Sequence, residues 1–213
     1  MARLPTISED ALKHLYLMRH GETTWNRSNR IQGHSNPALS AAGRRQVLQS
    51  ARHLRGRRIE RIFTSDLRRA VESARIAQRV LRVPLTVLPS LREICLGRWE
   101  GLTPDQVNRR YREGYAKWMA SPGGVRIPRA EPHDAFCARI RRCWREALVR
   151  GHEQRILIVT HGGVIAALLA HLLHARYNTL IIGLAIDNAS ITHVTLHGQR
   201  VHVPMINHTW RHR

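Results

Sequence analysis

The stretch LYLMRHGETTWN, residues 15 to 26, decides the fold of this chain. Four apolar side chains run directly into Arg19 and His20, and Gly21 then lets the backbone turn. A short continuous apolar run that ends in a turn is typical of a strand covered on both faces of a sheet. Arg19 and His20 either mark only the point where this strand reaches the surface, or they are reactive groups held at the end of a rigid element. The rest of the sequence favours the second interpretation.

Strand-like and helix-like patterns alternate along the chain. Short apolar runs predict strands at 14–18, 61–65, 84–88, 155–160, 189–196 and 200–206. Patterns that predict helices lie in the remaining segments, at 40–54, 66–81, 103–119, 134–149 and 163–173. This alternation predicts an α/β fold, a three-layer αβα sandwich with a mostly parallel central sheet.

Length and composition indicate one domain in a reducing compartment. The chain has 213 residues and 43% hydrophobic content, which suits a single globular domain. No apolar signal segment follows Arg3, and the apolar run at 164–175 is too short to span a membrane. Among the three cysteines, Cys137 and Cys143 share a predicted helix, where a rise of about 9 Å exceeds the reach of a disulfide. These features predict a cytoplasmic location and no membrane partner.

The chain is strongly basic, and its positive charge comes almost entirely from arginine. Lys+Arg number 35 against 15 Asp+Glu, a net charge of +20, yet only Lys13 and Lys117 are lysines. Either the base composition of the gene explains this bias, or the charge attracts anionic small substrates or nucleic acid. The basic runs at 55–62 and 139–145 lie within apolar-periodic segments. We therefore expect them to be faces of packed elements, with no sequence-specific binding of nucleic acid.

Three predicted strand ends carry unusual chemistry. The first strand delivers Arg19 and His20, and a later one delivers His161 ahead of two glycines. Another strand turns into a helix whose first turn contains Arg68 and Arg69. Ligands of an open α/β sheet bind at the carboxyl ends of its strands, and helix N-termini at that edge favour anions. The sequence therefore predicts a phosphate pocket with a candidate nucleophile inside it.

Several segments resemble motifs of the histidine phosphatase superfamily, also called the phosphoglycerate mutase-like family. They occur in the expected order between about residues 15 and 208, and they are LMRHGETTWN, TSDLRRAVESA, LREICLGRWEGL, VTHGGVI and DNASIT. The resemblance implies a phosphoglycerate mutase-like fold in one domain over residues 1–213. It also implies an N-terminal extension at 1–13 and a cap over the active site at 95–135.

The resemblance implies a role for each residue at the strand ends. His20 is implied to attack phosphorus and to carry the phosphoryl group as a phosphohistidine. Arg19, Arg69 and His161 are implied to bind the phosphoryl oxygens and to stabilise the charge that spreads over them during transfer. Arg68 occupies a variable position of the motif, so Arg69 is the expected ligand.

The same resemblance suggests further phosphate contacts and an acid. Asn26 corresponds to a phosphate ligand, with Thr23 as a hydroxyl donor and Gly162 at the anion-favouring start of a helix. Glu93 is implied to protonate the leaving oxygen and later to accept a proton from water. Glu100 is a rival, but Glu93 follows an apolar strand whereas Glu100 lies in a predicted turn. The position at a strand end favours Glu93.

We expect a metal-independent phosphomonoesterase, a phosphoric monoester hydrolase that acts on a small phosphorylated metabolite without a cofactor. The arginines supply the positive charge, and the histidine pairs at 171/174 and 193/197 lack further ligands for a metal. The segment between Glu93 and His161 is shorter than in cofactor-dependent mutases, which leaves a phosphohistidine open to water.

Two alternatives remain open at this stage. One is a 2,3-bisphosphoglycerate-dependent phosphoglycerate mutase, and the other is a non-catalytic basic module that binds anions or nucleic acid. The family's Gly-Gly-Glu-Ser segment is replaced by RAEP at 129–132, where only Glu131 is retained, so the rim of the pocket is not predicted. The apolar C-terminal strands are a candidate edge for a homodimer.

Overall fold

A computed structural model describes residues 12–148 and 151–210, which build one sheet with helices on both faces. The strand order is β3-β2-β4-β1-β5-β6. The strands are β1 (Leu12–Arg19), β2 (Arg61–Thr64), β3 (Leu85–Val87), β4 (Arg155–Thr160), β5 (Ile191–His197) and β6 (Arg200–His208). The first four are mutually parallel, whereas β5 is antiparallel to both β1 and β6. The predicted mostly parallel sheet is confirmed.

Helices cover both faces of this sheet. They are α1 (Thr24–Arg27), α2 (Ala41–His53), α3 (Arg68–Leu81), α4 (Pro104–Arg110), α5 (Arg112–Ala120), α6 (His133–Cys143), α7 (Gly162–Leu172) and α8 (Tyr177–Gly183). Helices α2 and α3 pack on one face, and α6, α7 and α8 pack on the other. The result is the predicted three-layer αβα sandwich.

Strand β1 shows why its sequence is continuously apolar. Leu15 and Leu17 pack in the cluster with α6 and α7, while Tyr16 and Met18 pack in the cluster with α2 and α3. Successive side chains of a strand point to opposite faces, so a strand covered on both sides needs apolar residues at every position. Just beyond the strand, the His20 N–H donates to the last carbonyl of β4 at 2.8 Å, which holds the two strand ends side by side.

Helix α3 brings the middle motif to the same edge. Leu67 is still extended, with φ −68° and ψ 132°, so α3 begins two residues later than predicted, at Arg68. The face of α3 toward the sheet is made of small, fully buried residues, Ala70, Ala74 and Ala77. Small side chains let the helix approach the sheet closely, and its first turn therefore reaches the ends of β1 and β4.

Three helical segments differ from the prediction. The segment 103–119 divides into α4 and α5 at Tyr111, whose φ of −137° interrupts the helix. Helix α6 ends at Cys143 and continues as a π-helical turn to Leu148, and the predicted end at 149 lies outside the described residues. Helix α8 was not predicted, because YNTLIIG is rich in β-branched and polar residues that form helices poorly.

The termini and cysteines complete the fold. Residues 1–11 of the predicted N-terminal extension lie outside the described ranges, and the next two belong to β1. Within the described ranges, no helix is both long enough and apolar enough to cross a bilayer. All three cysteines are free thiols, and Cys137 and Cys143 share α6 as predicted. The edge strand β6 contains Pro204, which has no backbone N–H to donate.

Candidate active site

The ends of β1 and β4 and the start of α3 bring three polar side chains together. The rings of His20 and His161 lie 5.3 Å apart between centroids, and Arg69 Nε lies 3.2 Å from His20 Nε2. All three residues are buried, with exposures of 3%, 0% and 1% respectively. Buried polar groups are normally paired, so such a cluster in the protein interior indicates a specific chemical purpose.

The hydrogen bonds of His20 fix its tautomer. Nδ1 lies 2.8 Å from the carbonyl oxygen of Gly21, which only accepts, so Nδ1 carries the proton. Nε2 then presents its lone pair and accepts from Arg69. Burial, followed by the positive charges of Arg69 and Arg19, lowers the pKa of His20 well below its ordinary value. The ring is therefore neutral near pH 7, with a nucleophilic nitrogen at Nε2.

Arg69 is held at every nitrogen of its guanidinium group. Besides Nε on His20, Nη1 donates to the Ser35 carbonyl and Nη2 to the Gly33 carbonyl, both at 2.8 Å. Burial lowers the pKa of Arg69 to about 10, so the group remains cationic at neutral pH. The orientation of this cation therefore depends on the loop that contains residues 33–35.

Glu100 holds that loop from behind. Its carboxylate accepts from the backbone N–H groups of His34 at 2.9 Å, Ser35 at 2.9 Å and Leu96 at 3.0 Å. Burial alone would raise the pKa of Glu100, but these hydrogen bonds outweigh it and lower the pKa. Gly33 has φ +48°, and a Cβ there would collide with the carboxylate of Glu100. Glu100 is thus a support for the loop, set behind Arg69.

Two nitrogens beside the histidine pair are buried and have no partner. Arg19 Nη1 donates to the Ile186 carbonyl at 2.6 Å, but Arg19 Nε is unpaired. His161 Nε2 lies 2.7 Å from Ser65 Oγ, while His161 Nδ1 is unpaired. A neutral ring that accepts from Ser65 at Nε2 carries its proton on Nδ1. Arg19 Nε is a donor, and His161 Nδ1 is a second donor in this tautomer. An anion with several oxygens would satisfy both atoms.

The side chain of Glu93 contacts the N-terminus of α7 and lines the same cavity. One carboxylate oxygen accepts from the Ile94 N–H at 3.0 Å and the other from the Gly163 N–H at 3.1 Å. A Cβ at position 163 would displace this carboxylate, so glycine there lets Glu93 approach the N-terminus of α7. Burial and the charge of Glu93 raise the pKa of the neighbouring Tyr177 hydroxyl. The structure places Glu93, and not Glu100, where it can reach a ligand of the cavity.

The remaining predicted phosphate ligands occupy different positions. Thr23 and Asn26 form a capping box at α1, and the buried Thr23 hydroxyl is used in that cap. Asn26 lines the cavity, and its Oδ1 accepts from Thr23 and Asn188, which leaves the NH₂ end as donor. Gly162 is the first residue of α7, next to Arg19. A phosphate contact by Thr23 stays a prediction.

Asn188 and Tyr177 are functional candidates that the sequence did not single out. Asn188 Nδ2 donates to the His20 carbonyl at 3.1 Å and so supports the backbone of the candidate nucleophile. Tyr177 lies against Glu93 from the unpredicted helix α8. The motif DNASIT marked the segment of Asn188 but gave no role to its side chain, because its partner is 168 residues away in the chain.

The cavity in front of these residues has a volume of about 400 Å³. The kinds of residue that line it differ between its inner and outer parts. Its inner part is lined by Arg19, Arg69, Glu93 and Asn26. We use the name outer cavity for the part lined by the apolar residues Ile31, Leu96, Trp118, Val125, Ile127 and Ile181. These come from the loop before residue 33, the segment 95–135 and α8. Polar side chains line the cavity as well, namely Asn29, Arg30, Gln32, Glu131, His133 and Tyr177. Over the described ranges, no cluster of three His, Cys, Asp or Glu side chains is arranged to hold a metal ion.

Comparisons with known proteins agree with this geometry. The chain is 29% identical over 195 residues to the metal-independent phosphoserine phosphatase of Arabidopsis thaliana, covering 90% of this chain and 80% of the relative. It is 34% identical over 157 residues to phosphoglycerate mutase-like protein 4 of the same plant, covering 72% and 68%. The solved mycobacterial glucosyl-3-phosphoglycerate phosphatase superposes with a TM-score of 0.83 at 29% identity, covering 92% and 99%.

The family assignment follows from the extent of the match. The family model of the histidine phosphatase superfamily (branch 1) matches residues 15–209, which contain all of the strand ends described above. The superfamily expected from the motifs is therefore confirmed. This chain belongs to the histidine phosphatase superfamily.

Proposed function

We propose that the protein is a phosphomonoesterase that works through a phosphohistidine on His20 and needs no metal. One observation carries the proposal: the unprotonated Nε2 of a buried, neutral His20 lies 3.2 Å from Arg69 Nε, beside two unpaired donors on Arg19 and His161. This arrangement supplies a nucleophile together with donors for the oxygens of a phosphoryl group.

The first step forms the phosphoenzyme. His20 Nε2 attacks phosphorus, the P–N bond forms, and the P–O bond to the leaving group breaks. Arg69, Arg19 and His161 donate to the oxygens over which negative charge spreads. Protonated Glu93 gives its proton to the leaving oxygen, so an alcohol departs and Glu93 becomes a carboxylate.

The second step returns the enzyme to its starting state. A water molecule gives a proton to the Glu93 carboxylate while its oxygen attacks phosphorus, and the P–N bond breaks. Inorganic phosphate leaves, and Glu93 is protonated again. The hydrogen bond from Nδ1 to the Gly21 carbonyl keeps the His20 ring in the required tautomer throughout both steps.

Phosphoglycerate mutase activity is the second candidate, because a mutase-like relative is 34% identical. It would use the same phosphohistidine but return the phosphoryl group to bound phosphoglycerate. That substrate carries a carboxylate, whereas Glu131 in the outer walls is paired with Arg139 and Arg30 is exposed. The lack of a buried cation for this carboxylate among the described residues of the outer walls supports hydrolysis over retention of phosphoglycerate.

The experiment is a panel of phosphomonoesters assayed with and without EDTA, alongside a mutase assay. We expect phosphate release that EDTA leaves unchanged, with hydrolysis faster than interconversion of phosphoglycerates. Activity that is lost in EDTA and restored by a divalent metal would refute metal independence. Interconversion faster than hydrolysis would favour the mutase, and no turnover at all would favour the non-catalytic basic module.

The other expectations on partners and location are also part of this proposal. The substrate is a small phosphorylated metabolite, no sequence-specific nucleic acid is bound, and the compartment is the reducing cytoplasm, in keeping with three free thiols. The candidate homodimer would form through the edge strand β6.

A further inference from the structure

Apolar side chains line the outer cavity from three parts of the chain, namely the loop before residue 33, the segment 95–135 and α8. Ile31 lies on the loop that leads to Gly33, Trp118 on α5, and Ile181 on α8. In the connecting loop of the segment 95–135, Val125 and Ile127 line the cavity, while the residues next to them are exposed. Walls from three separate elements enclose the place where the leaving group of a bound phosphomonoester must lie.

Charged groups of the outer walls are already compensated or face solvent. The Glu131 carboxylate is paired with Arg139 through two hydrogen bonds, at 2.9 and 2.7 Å. Arg30 is exposed at the rim, where solvent weakens its attraction for an anion, and it donates to the Gly101 carbonyl at 2.6 Å. His133 Nε2 lies within hydrogen-bond distance of Cys137 Sγ, at 3.4 Å.

This distribution sets the chemistry of the leaving group. In the inner part, the cations Arg19 and Arg69 pair with the phosphoryl group. Glu93 takes part in proton transfer. Among the described residues that line the cavity, no buried charge is left to pair with a carboxylate or an ammonium group of the substrate. Placing such a group against apolar walls without a partner is unfavourable.

We propose that this enzyme selects phosphomonoesters of apolar alcohols, with an alkyl or aryl leaving group, and discriminates against amino-acid and glycerate phosphates. The proposal deepens the phosphatase function proposed above and rests on it for turnover. The outer cavity binds the leaving group by removing apolar surface from water, so each added methylene should strengthen binding until the walls end.

The first measurement uses alkyl monophosphates of increasing length, ethyl, butyl and hexyl, against O-phosphoserine and 3-phosphoglycerate. All are esters of aliphatic alcohols, so the comparison avoids the activated leaving group of a nitrophenyl ester. A fully buried methylene contributes up to about fourfold per group. We expect kcat/KM to rise at least about tenfold from ethyl to hexyl phosphate, and both charged substrates to fall below butyl phosphate.

The second measurement separates binding from turnover. Ethyl-, butyl- and hexylphosphonate and 3-phosphonopropionate carry a phosphonate that cannot be hydrolysed, and their affinities are read by calorimetry. We expect affinity to increase with chain length, and 3-phosphonopropionate to bind more weakly than butylphosphonate. If affinity follows chain length but no ester is hydrolysed, the selectivity stands and the phosphatase function fails.

A matched pair of variants on α8 tests the wall itself. Ile181 lines the cavity, whereas its neighbour Ile182 is 57% exposed and does not. Ile181→Asn should lower kcat/KM for hexyl phosphate and the affinity for hexylphosphonate by about threefold or more. The values for the ethyl compounds should stay unchanged, so the dependence on chain length becomes flatter. Ile182→Asn should change neither series. Ile127→Ala, on a different element, repeats the test should Ile181→Asn fail to fold.

Two results would overturn the proposal. One is hydrolysis in which O-phosphoserine or 3-phosphoglycerate exceeds hexyl phosphate in kcat/KM, which leaves the phosphatase function standing. The other is a dependence on chain length that both Ile181→Asn and Ile127→Ala leave intact, because the apolar surface would then lie elsewhere.

Discussion

The inner and outer parts of the cavity are built in different ways. In the inner part, His20, Arg69 and His161 are almost completely buried at strand ends and at the start of a helix, and hydrogen bonds hold each of them. In the outer cavity the side chains are half-exposed and come from loops and short helices, and α5 buries none of its residues. The sheet thus positions the polar groups, whereas the more loosely packed elements around it form the walls that we propose to contact the leaving group.

The largest effect should follow from removing the candidate nucleophile. His20→Ala should abolish turnover and the phosphoenzyme, because the other ring of the cluster, His161, has its Nε2 engaged by Ser65 Oγ. Incubation of the wild type with labelled substrate and an alkaline quench should trap an adduct that is stable to base and labile to acid. His174→Ala, at an exposed histidine, is the matched control and should retain full activity. A label on His161 would reverse the assigned roles.

Glu93→Gln should be the next most damaging change. It leaves His20 and its cations in place but removes proton delivery, a loss of typically about 10²–10⁴-fold. The loss in kcat should be smaller for nitrophenyl phosphate than for alkyl phosphates, because nitrophenolate leaves without a proton. Equal losses for both kinds of ester would mean that Glu93 does not protonate the leaving group.

Glu100→Gln should have a weaker and chemically different effect. The variant keeps one acceptor oxygen but turns an NH₂ group toward N–H donors that the carboxylate now accepts, so the loop that holds Arg69 loosens. We expect kcat/KM to fall by about 10-fold, within the cost of weakening one charge-stabilising donor. This fall should be the same for nitrophenyl and alkyl esters. A dependence on the leaving group like that of Glu93→Gln would contradict a positioning role.

The smallest effect concerns how the free energy of unfolding depends on pH. Burial first, and then nearby positive charges, lower the pKa of His20 and of His161 well below 6.5. The unfolded chain therefore binds more protons than the folded one below about pH 6.5, so stability is full above that pH and falls as the pH decreases. Each histidine should contribute a slope in the free energy of unfolding of at most about 1.4 kcal/mol per pH unit.

Urea unfolding at several pH values measures this slope. His193, whose pKa burial lowers to about 4, adds a contribution of the same sign, so the difference between wild type and variant is the informative quantity. His20→Ala should reduce the dependence of the free energy of unfolding on pH below about pH 6.5. An unchanged slope in His20→Ala would show that this ring is not held neutral in the folded state.

The sequence predicted the inner part much better than the outer part. Continuous apolar runs located β1 and β4, and the polar residues directly after them, His20 and His161, are brought together because parallel strands end at one edge. Loop 33–35 was not foreseen as the support of Arg69, because its contact with Glu100 joins segments about 65 residues apart. Helix α8 was missed because tertiary packing, and not helix propensity, determines its conformation.

The outer walls could not be predicted for a similar reason. Apolar residues in a loop have no periodicity, so nothing in the sequence distinguishes Val125 and Ile127, which line the cavity, from the apolar residues of the core. Their position depends on how α8 and the loop pack against one another. The hydrogen bonds of Asn178 to Gly123 N and Ser121 Oγ hold these two elements together, and the sequence pattern contains no sign of them.

The partner that fixes the tautomer of His20 has a consequence for how this enzyme can change over evolutionary time. That partner is the backbone carbonyl of Gly21, and no point substitution deletes a carbonyl. A histidine oriented by a carboxylate side chain loses that partner in a single substitution, whereas His20 does not. Side chains of the outer walls can therefore be replaced without removing the group that orients His20.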